Sequence, residues 1–265
     1  MTNIEFSLFR KLLYSEYGIY FEDSKKNILK IKVDKLLRMN NMDSYKDYYE
    51  LLKNPAEKKH LIDFLNIMTV NKTNFFREKK HFDFIKEELS KIIQKNSSIL
   101  KEKKIRIWSS ASSTGEEAYS IAILLNEIMP QNITIKILGT DISQRALKIA
   151  LKGRYSSIIK KQIPNYYLQK YFIKIGEEYI VKDILKKMVR FRVFNLKDKF
   201  PFKNKIDIIF CRNVMIYFDD IFKEELINKF YEVTKKKGLL FIGHSETIRN
   251  LKHKYKYIEP TIYIK

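Results

Sequence analysis

Short apolar segments alternate with amphipathic segments from about residue 105 onward, and this alternation limits the possible folds more than any other feature of the sequence. The amphipathic segments, at 116–129, 143–152 and 221–234, are predicted helices. The apolar segments are predicted strands at Ile105–Trp108, Ile133–Gly139, Ile206–Phe210 and Gly238–Ile242, with closing strands in the tail Tyr255–Ile264. Strands that alternate with helices form βαβ units around a parallel sheet. The sequence therefore predicts an α/β domain.

Two other regions depart from this alternation. The first seventy residues contain short amphipathic helices, the first of which is predicted to end at Gly18. We predict a small helical domain at residues 1–72 and the α/β domain at 73–265, and we expect the helical part to be removable without unfolding the rest. Between about residues 155 and 193, a hairpin around Gly176 interrupts the alternation. This interruption predicts a small inserted β subdomain.

Composition excludes several classes of protein. No apolar run approaches the roughly 18 residues that a membrane-spanning helix needs, and the first residues lack the pattern of a signal peptide. The single cysteine, Cys211, excludes an internal disulfide, and the four histidines show no HExxH-type pair. We expect a cytoplasmic protein with no membrane insertion and no metal.

The formal net charge of +21 leaves the partner open. Such a surface attracts nucleic acid, an anionic membrane or an acidic protein. The alternative is a solvated lysine-rich surface without a specific partner. The basic residues are spread along the chain, and no nucleic-acid-binding signature is present. We therefore expect no specific nucleic-acid partner.

The segment after the first predicted strand has the residues of a ligand-binding loop. Small side chains fill Ser109–Gly115, and the two glutamates that follow fit a capping box, so a helix is predicted to begin here. The GxGxxG spacing of a pyrophosphate site is absent, and the acidic residues suit an adenosyl ligand with a positive sulfonium better. Asp141, after the second strand, lies where an acidic residue binds ribose hydroxyls in such folds, with a helix N-cap as the alternative.

Six motifs occur in an order that resembles one family, the CheR-type chemotaxis receptor methyltransferases. They span residues 71–246 and are Thr73–Glu78, Ser112–Glu117, Thr140–Ser143, Phe194–Leu196, Phe210–Phe218 and Gly243–Glu246. The resemblance implies a Rossmann-like S-adenosylmethionine methyltransferase domain without a metal. It also implies a monomer that methylates glutamates of methyl-accepting chemotaxis receptors and releases S-adenosylhomocysteine. The alternatives are a nucleic-acid methyltransferase on the same fold and a non-catalytic relative that only binds.

The resemblance also implies a role for particular residues. Glu117 and Asp141 are expected at the methionine and ribose parts of the cofactor, and Asn195 and Leu196 beside the adenine. The full expected cofactor set is Asn71, Thr73, Arg77, Glu117, Asp141, Asn195, Leu196, Arg212 and Asn213, and the expected catalytic residues are Arg77, Arg212 and Tyr217.

We expect the three catalytic residues to hold the incoming carboxylate. A glutamate is already an anion at neutral pH, so no general base is needed, and His244 is expected to be structural. Two alternatives remain from the residues themselves: Arg77 as a surface ion pair with Glu78 or Asp83, and Asn195 as a turn residue.

Overall fold

The computed structural model describes residues 1–95 and 97–265 and has the predicted α/β architecture. The helices are α1 (Asn3–Tyr17), α2 (Lys26–Met39), α3 (Tyr45–Lys53), α4 (Lys58–Met68), α5 (Lys79–Lys95), α6 (Ser97–Glu102), α7 (Glu116–Ile128), α8 (Gln144–Lys152), α9 (Asn165–Tyr171), α10 (Asp183–Lys186) and α11 (Asp220–Val233). The strands are β1 (Lys104–Ser109), β2 (Thr134–Asp141), β3 (Arg154–Ser156), β4 (Phe172–Ile175), β5 (Glu178–Val181), β6 (Val189–Val193), β7 (Ile206–Cys211), β8 (Thr234–Ile242), β9 (Lys256–Glu259) and β10 (Ile262–Ile264). None of the described helices is long and apolar enough to cross a membrane.

The main sheet has the order β6-β2-β1-β7-β8-β10-β9 within the described chain, and its first five strands are parallel. The chain runs outward from β1 to β2 on one side and then crosses to β7 on the other, so the strand order reverses at β1. Ligands bind at the carboxyl ends of the strands at such a reversal, because the two flanking connections leave a crevice there. The fold therefore places a binding site beyond Ser109, Asp141 and Cys211.

Helices cover both faces of this sheet, which confirms the predicted α/β class. On β7, Phe210 packs in the cluster that contains residues of α5, α7 and α8, whereas Ile209 packs in the cluster that contains α11 and the N-terminal helices. Neighbouring side chains of a strand point to opposite faces, so a continuous apolar strand is covered on both sides. This burial explains why Ile206–Cys211 carries only one charged side chain, Asp207.

The inserted β subdomain is smaller than predicted. It is an antiparallel sheet of order β3-β5-β4, with Gly176 in the left-handed conformation at the hairpin. Residues 189–193, which were assigned to the insertion, form β6 and pair in parallel with β2. Arg190 and Arg192 alternate with the buried Val189 and Phe191, which is the pattern of a strand with one exposed face. This pattern does not distinguish a strand of the small subdomain from an edge strand of the main sheet.

The N-terminal helices share a core with the α/β domain, which argues against the expectation that they can be removed. Gly18 ends α1 as predicted, with φ 71°, and a Cβ there would lie 2.4 Å from the ring of Phe222 in α11. The Tyr20 amide donates to the Tyr217 carbonyl (2.8 Å), and the Tyr14 hydroxyl donates to Asp219 (2.8 Å). Removal of residues 1–70 would expose this interface.

Candidate active site

A cavity of about 300 Å³ lies at the carboxyl ends of β1, β2 and β7. The N-terminal helical region closes its other side with apolar and basic side chains that include Ile19, Phe21 and Lys32. Every residue that the sequence assigned to the site lines this cavity: Asn71, Thr73, Arg77, Glu117, Asp141, Asn195, Leu196, Arg212, Asn213 and Tyr217. The fold thus brings together residues that are up to 146 positions apart, from Asn71 to Tyr217.

The loop between β1 and α7 forms one wall and approaches its neighbours closely. Gly115 has φ 96°, and a Cβ there would lie 2.8 Å from the Ala150 side chain, so only glycine fits without strain. Ser113 is also left-handed (φ 48°). The helix begins at Glu116 as predicted, but no side chain caps it, and the predicted capping box is wrong. The reason is that Gly115 itself occupies the N-cap position, so the Ser113 hydroxyl donates to the Asn71 carbonyl instead (3.2 Å).

Asp141 ties this loop to the start of α8. Its carboxylate accepts the backbone amides of Ser113 (2.8 Å) and Ser143 (2.9 Å). Ser143, not Asp141, caps α8 by accepting from the Ala146 amide (3.2 Å). Burial raises the pKa of Asp141, and the backbone amides oppose that shift. The carboxylate reaches the cavity wall with lone pairs left for further donors.

Glu117 and Arg212 form an ion pair in the cavity wall. The Arg212 side chain is 1% exposed, and its Nη1 lies 3.4 Å from Glu117 Oε2. The other Glu117 oxygen accepts from the Ser109 hydroxyl (2.7 Å). Burial raises the pKa of Glu117, and the Arg212 charge opposes the shift.

Arg212 has two more partners, both in the segment before α5. Its Nε donates to Glu78 Oε2 (3.2 Å), and its Nη2 donates to the Arg77 carbonyl. The guanidinium is therefore held on three sides by protein groups, which leaves it less free than predicted to hold an incoming carboxylate.

Arg77 remains available at the cavity. Its Nη1 donates to the Lys72 carbonyl (2.9 Å). The two carboxylates that the sequence offered as alternative partners are paired elsewhere, Asp83 with Lys79 (2.8 Å) and Glu78 with Arg212. Arg77 thus stands as the freer of the two arginines.

Tyr217 and Asn195 lie on the side of the cavity next to α1. Both Tyr217 and Arg77 line the cavity. Burial raises the pKa of Tyr217, and the Arg77 charge opposes the shift. The Asn195 Nδ2 donates to the Glu16 carbonyl (2.7 Å), while its Oδ1 accepts from the Lys197 amide (3.1 Å). Asn195 is therefore a turn residue that also lines the cavity, and its expected place beside the adenine stays a prediction.

Two glutamates that the sequence reasoning did not assign to the site, the largely buried Glu78 and the buried Glu246, hold it in place. Glu78 contacts Arg212, the Asn213 amide group (3.1 Å) and the His244 backbone amide (3.1 Å). Glu246 accepts the backbone amides of Gly243 (2.6 Å), Asn213 (3.0 Å) and Met215 (2.7 Å). Both stand at the ends of motifs, which was the available signal, but Arg212, Asn213 and Met215, which they contact, are far away in the sequence.

One cluster near the site has side chains of the types that bind metals. Among the described residues, Glu78, His81 and His244 bring one ligand atom each within 4.8 Å of one another. Burial lowers the pKa of His81 to about 3, with the Arg212 charge acting in the same direction, so the buried ring is neutral at pH 7. The absence of a metal stays a prediction.

The side chains that line the cavity fit S-adenosylmethionine. Asp141 offers acceptors for ribose hydroxyls, and Glu117 offers negative charge for an ammonium or sulfonium group. Leu196 and Phe21 supply apolar surface for an adenine ring. The tight loop at Gly115 lets a ligand approach the backbone closely.

Comparisons with known proteins agree with this geometry. Residues 71–264 match the family described as "CheR methyltransferase, SAM binding domain", and residues 4–66 match "CheR methyltransferase, all-alpha domain". A chemotaxis protein methyltransferase of Borreliella burgdorferi is 40% identical over 270 residues, which is 100% of this chain and 95% of that protein. Chemotaxis protein methyltransferase 2 of Vibrio cholerae is 34% identical, with 100% and 94% coverage, and the Salmonella typhimurium protein is 32% identical, with 99% and 90%. The chain belongs to the CheR family of S-adenosylmethionine-dependent chemotaxis methyltransferases.

Proposed function

We propose that this protein transfers a methyl group from S-adenosylmethionine to glutamate side chains of methyl-accepting chemotaxis receptors. The products are glutamate methyl esters and S-adenosylhomocysteine, and the role is sensory adaptation in bacterial chemotaxis. The enzyme acts as a monomer in the cytoplasm. The observation that carries the proposal is a single cavity where the acidic residues Asp141 and Glu117 meet Arg77 and Tyr217.

The acidic side of the cavity would hold the cofactor. Asp141 is already fixed by two backbone amides, so it needs no rearrangement to accept the ribose hydroxyls. Glu117 would face the positively charged methionine part, and Leu196 and Asn195 would flank the adenine. Asn71, Thr73 and Asn213 would complete the wall around it.

The basic side of the cavity would orient the acceptor. When bound, S-adenosylmethionine supplies an electrophilic methyl group on a sulfonium. A glutamate has an unperturbed pKa of about 4.3, so it enters as an anion and no residue has to remove a proton. Arg77 and the Tyr217 hydroxyl would donate hydrogen bonds to one carboxylate oxygen and leave the other free to react. Catalysis is then mostly positioning and exclusion of water.

Surface charge supports an acidic protein partner. The formal net charge of +21 attracts acidic surfaces and raises the rate of encounter. Lys25 and Lys32 of the helical region lie at the cavity and could contact acidic residues beside the target glutamate.

Transfer of labelled methyl groups tests the proposal. The protein is incubated with methyl-labelled S-adenosylmethionine and receptor-containing membranes, and we expect label in receptor protein that is released by mild alkali, as an ester requires. Membranes without receptors and purified RNA or DNA serve as acceptor controls. Label that resists alkali, or that enters nucleic acid and not receptor, would refute the proposal.

A matched pair of variants links the activity to the site. Arg77→Ala should lose transfer, whereas Lys80→Ala, an exposed cation three residues away in α5, should keep it. Equal activity of the two variants would remove Arg77 from the reaction.

A further inference from the structure

Glu78 accepts hydrogen bonds from three different residues beside the cavity, although it does not line the cavity itself. Its Oε2 accepts from Arg212 Nε (3.2 Å), and its Oε1 accepts from Asn213 Nδ2 (3.1 Å) and the His244 amide (3.1 Å). Its side chain is 10% exposed, and its backbone is left-handed, with φ 59°. A non-glycine residue held in this conformation indicates that the surroundings fix its position.

The surroundings of Glu78 do not favour a metal ion. His81 Nδ1 is buried without a hydrogen-bond partner and lies 3.6 Å from Glu78 Oε2, as a ligand pair would. However, the same Oε2 already pairs with the Arg212 guanidinium. A permanent cation at 3.2 Å from the shared oxygen opposes a second cation there. Arg212, not a metal, is therefore the charge that Glu78 neutralises.

We propose that Glu78 is a positioning residue whose negative charge offsets Arg212 and so lets the adjoining cavity accept a positively charged ligand. The proposal rests on the proposed methyl donor. Arg212 lines the cavity together with Arg77, and both would repel a sulfonium. Glu117 also offsets part of the Arg212 charge, but it would face the ligand as well. Glu78 does not line the cavity, so it would pair with Arg212 whether or not a ligand is bound.

Glu246 provides a comparison, because it stabilises the same loop through backbone amides. Like Glu78, it is a carboxylate that contacts Asn213 and has little exposure to solvent. Within the part of the chain that the structure describes, however, its hydrogen bonds come from the backbone amides of Gly243, Asn213 and Met215, and not from Arg212. Loss of either Glu78 or Glu246 should destabilise the loop. Only loss of Glu78 also removes a negative charge that pairs with Arg212.

The methyl donor and its product differ in the charge that this proposal concerns. S-adenosylmethionine carries the sulfonium, whereas S-adenosylhomocysteine has a neutral thioether and is otherwise nearly the same. Removal of the Glu78 charge therefore changes the affinities for the two ligands unequally. A change in loop structure alone weakens both by a similar factor.

The experiment measures the dissociation constants of both ligands by calorimetry, without receptor. Glu78→Gln keeps the size of the side chain and removes its charge, and we expect S-adenosylmethionine to lose about tenfold more affinity than S-adenosylhomocysteine, about 1.4 kcal/mol. Glu78→Asp keeps the charge, so it should weaken both ligands while their ratio stays within about twofold of wild type. Glu246→Gln removes a charge that does not pair with Arg212, so it should change the ratio much less than Glu78→Gln does, and Glu87→Gln on the exposed face of α5 should leave the ratio unchanged.

A variant of opposite sign keeps the test decisive if Glu78→Gln does not fold. Arg212→Met removes the positive charge and leaves Glu78 with its donors from Asn213 and His244, so the ratio should shift in favour of S-adenosylmethionine. An unchanged ratio in both Glu78→Gln and Arg212→Met would overturn the proposal, as would an equal shift in Glu246→Gln. If the wild-type protein binds neither ligand, the proposed cofactor fails instead, and this outcome is distinguishable from the others.

Discussion

Replacement of Asp141 by asparagine should separate its contact with the cofactor from its support of the loop. In the structure each carboxylate oxygen accepts one backbone amide, from Ser113 and from Ser143. Asparagine keeps one oxygen and places an amide donor where the other stood. It therefore loses one backbone hydrogen bond and the negative charge that would face the ribose hydroxyls.

The size of the effect follows from the type of hydrogen bond that is lost. A hydrogen bond to a charged group contributes about 1.5–3 kcal/mol. Loss of one such bond to a ribose hydroxyl should weaken binding of S-adenosylhomocysteine by roughly ten- to 150-fold. We expect Asp141→Asn to fall in this range, and Asp183→Asn, an exposed aspartate on α10, to bind as wild type does.

A second ligand distinguishes the two roles of Asp141. Calorimetry is repeated with an analogue of S-adenosylhomocysteine that lacks the 2′- and 3′-hydroxyls. Wild type should bind this analogue more weakly than the parent ligand, whereas Asp141→Asn should bind the two almost equally. Unchanged affinity of Asp141→Asn for the parent ligand would refute the ribose contact. An equal loss for both ligands would mean that Asp141 acts only by holding the loop.

Three further predictions concern stability and turnover. Gly18→Ala should destabilise the fold by about 1–3 kcal/mol more than Gly176→Ala in denaturant melts, because both glycines have positive φ but only Gly18 faces a buried ring; equal effects would contradict the shared core. The pKa of His81 falls to about 3 on folding because of burial and Arg212, so the unfolded chain binds the extra proton and wild type loses stability as pH falls from about 6.5 to 3. His81→Gln removes this group, so the slope of the free energy of unfolding against pH should decrease by up to about 1.4 kcal/mol per pH unit, which corresponds to one proton. Denaturant melts of both proteins across that pH range measure the two slopes, and equal slopes would contradict the prediction. Arg77→Ala should lower single-turnover transfer at saturating cofactor by ~10²-fold, about 2.7 kcal/mol, with partial rescue by lysine, whereas a loss confined to cofactor affinity would exclude an orienting role.

Much of the fold could be predicted because burial on both faces leaves a strong signal in the sequence. Ile206–Cys211 is almost wholly apolar, and Gly18 indicated where α1 ends. β6 was missed because an edge strand is covered less completely, and its alternating arginines resemble an exposed hairpin. The capping box failed because a left-handed glycine replaced the side-chain cap, which the sequence pattern does not distinguish.

The sequence predicted which residues line the candidate site but not which of their charged side chains pair with each other. Topology brings the ends of β1, β2 and β7 together, so motifs that follow these strands meet at one cavity. Which charges pair there depends on side-chain geometry and desolvation, which no motif encodes. Arg212 and Arg77 looked equivalent in the sequence, whereas the structure buries Arg212 against Glu78 and Glu117 and leaves Arg77 with a backbone carbonyl.

The shared core of the two regions has a consequence for binding. The cavity wall contains Ile19, Phe21 and Lys32 from the helical region and Asp141 and Arg212 from the sheet, so a ligand there contacts both. A ligand that binds only the folded state stabilises it, by about 2.7 kcal/mol at a hundredfold excess over its dissociation constant. Because the cavity has walls from both regions, this stabilisation also opposes their separation. The helical region is therefore part of the cavity wall, and its packing against α11 and the segment around Tyr217 holds that part of the wall in place.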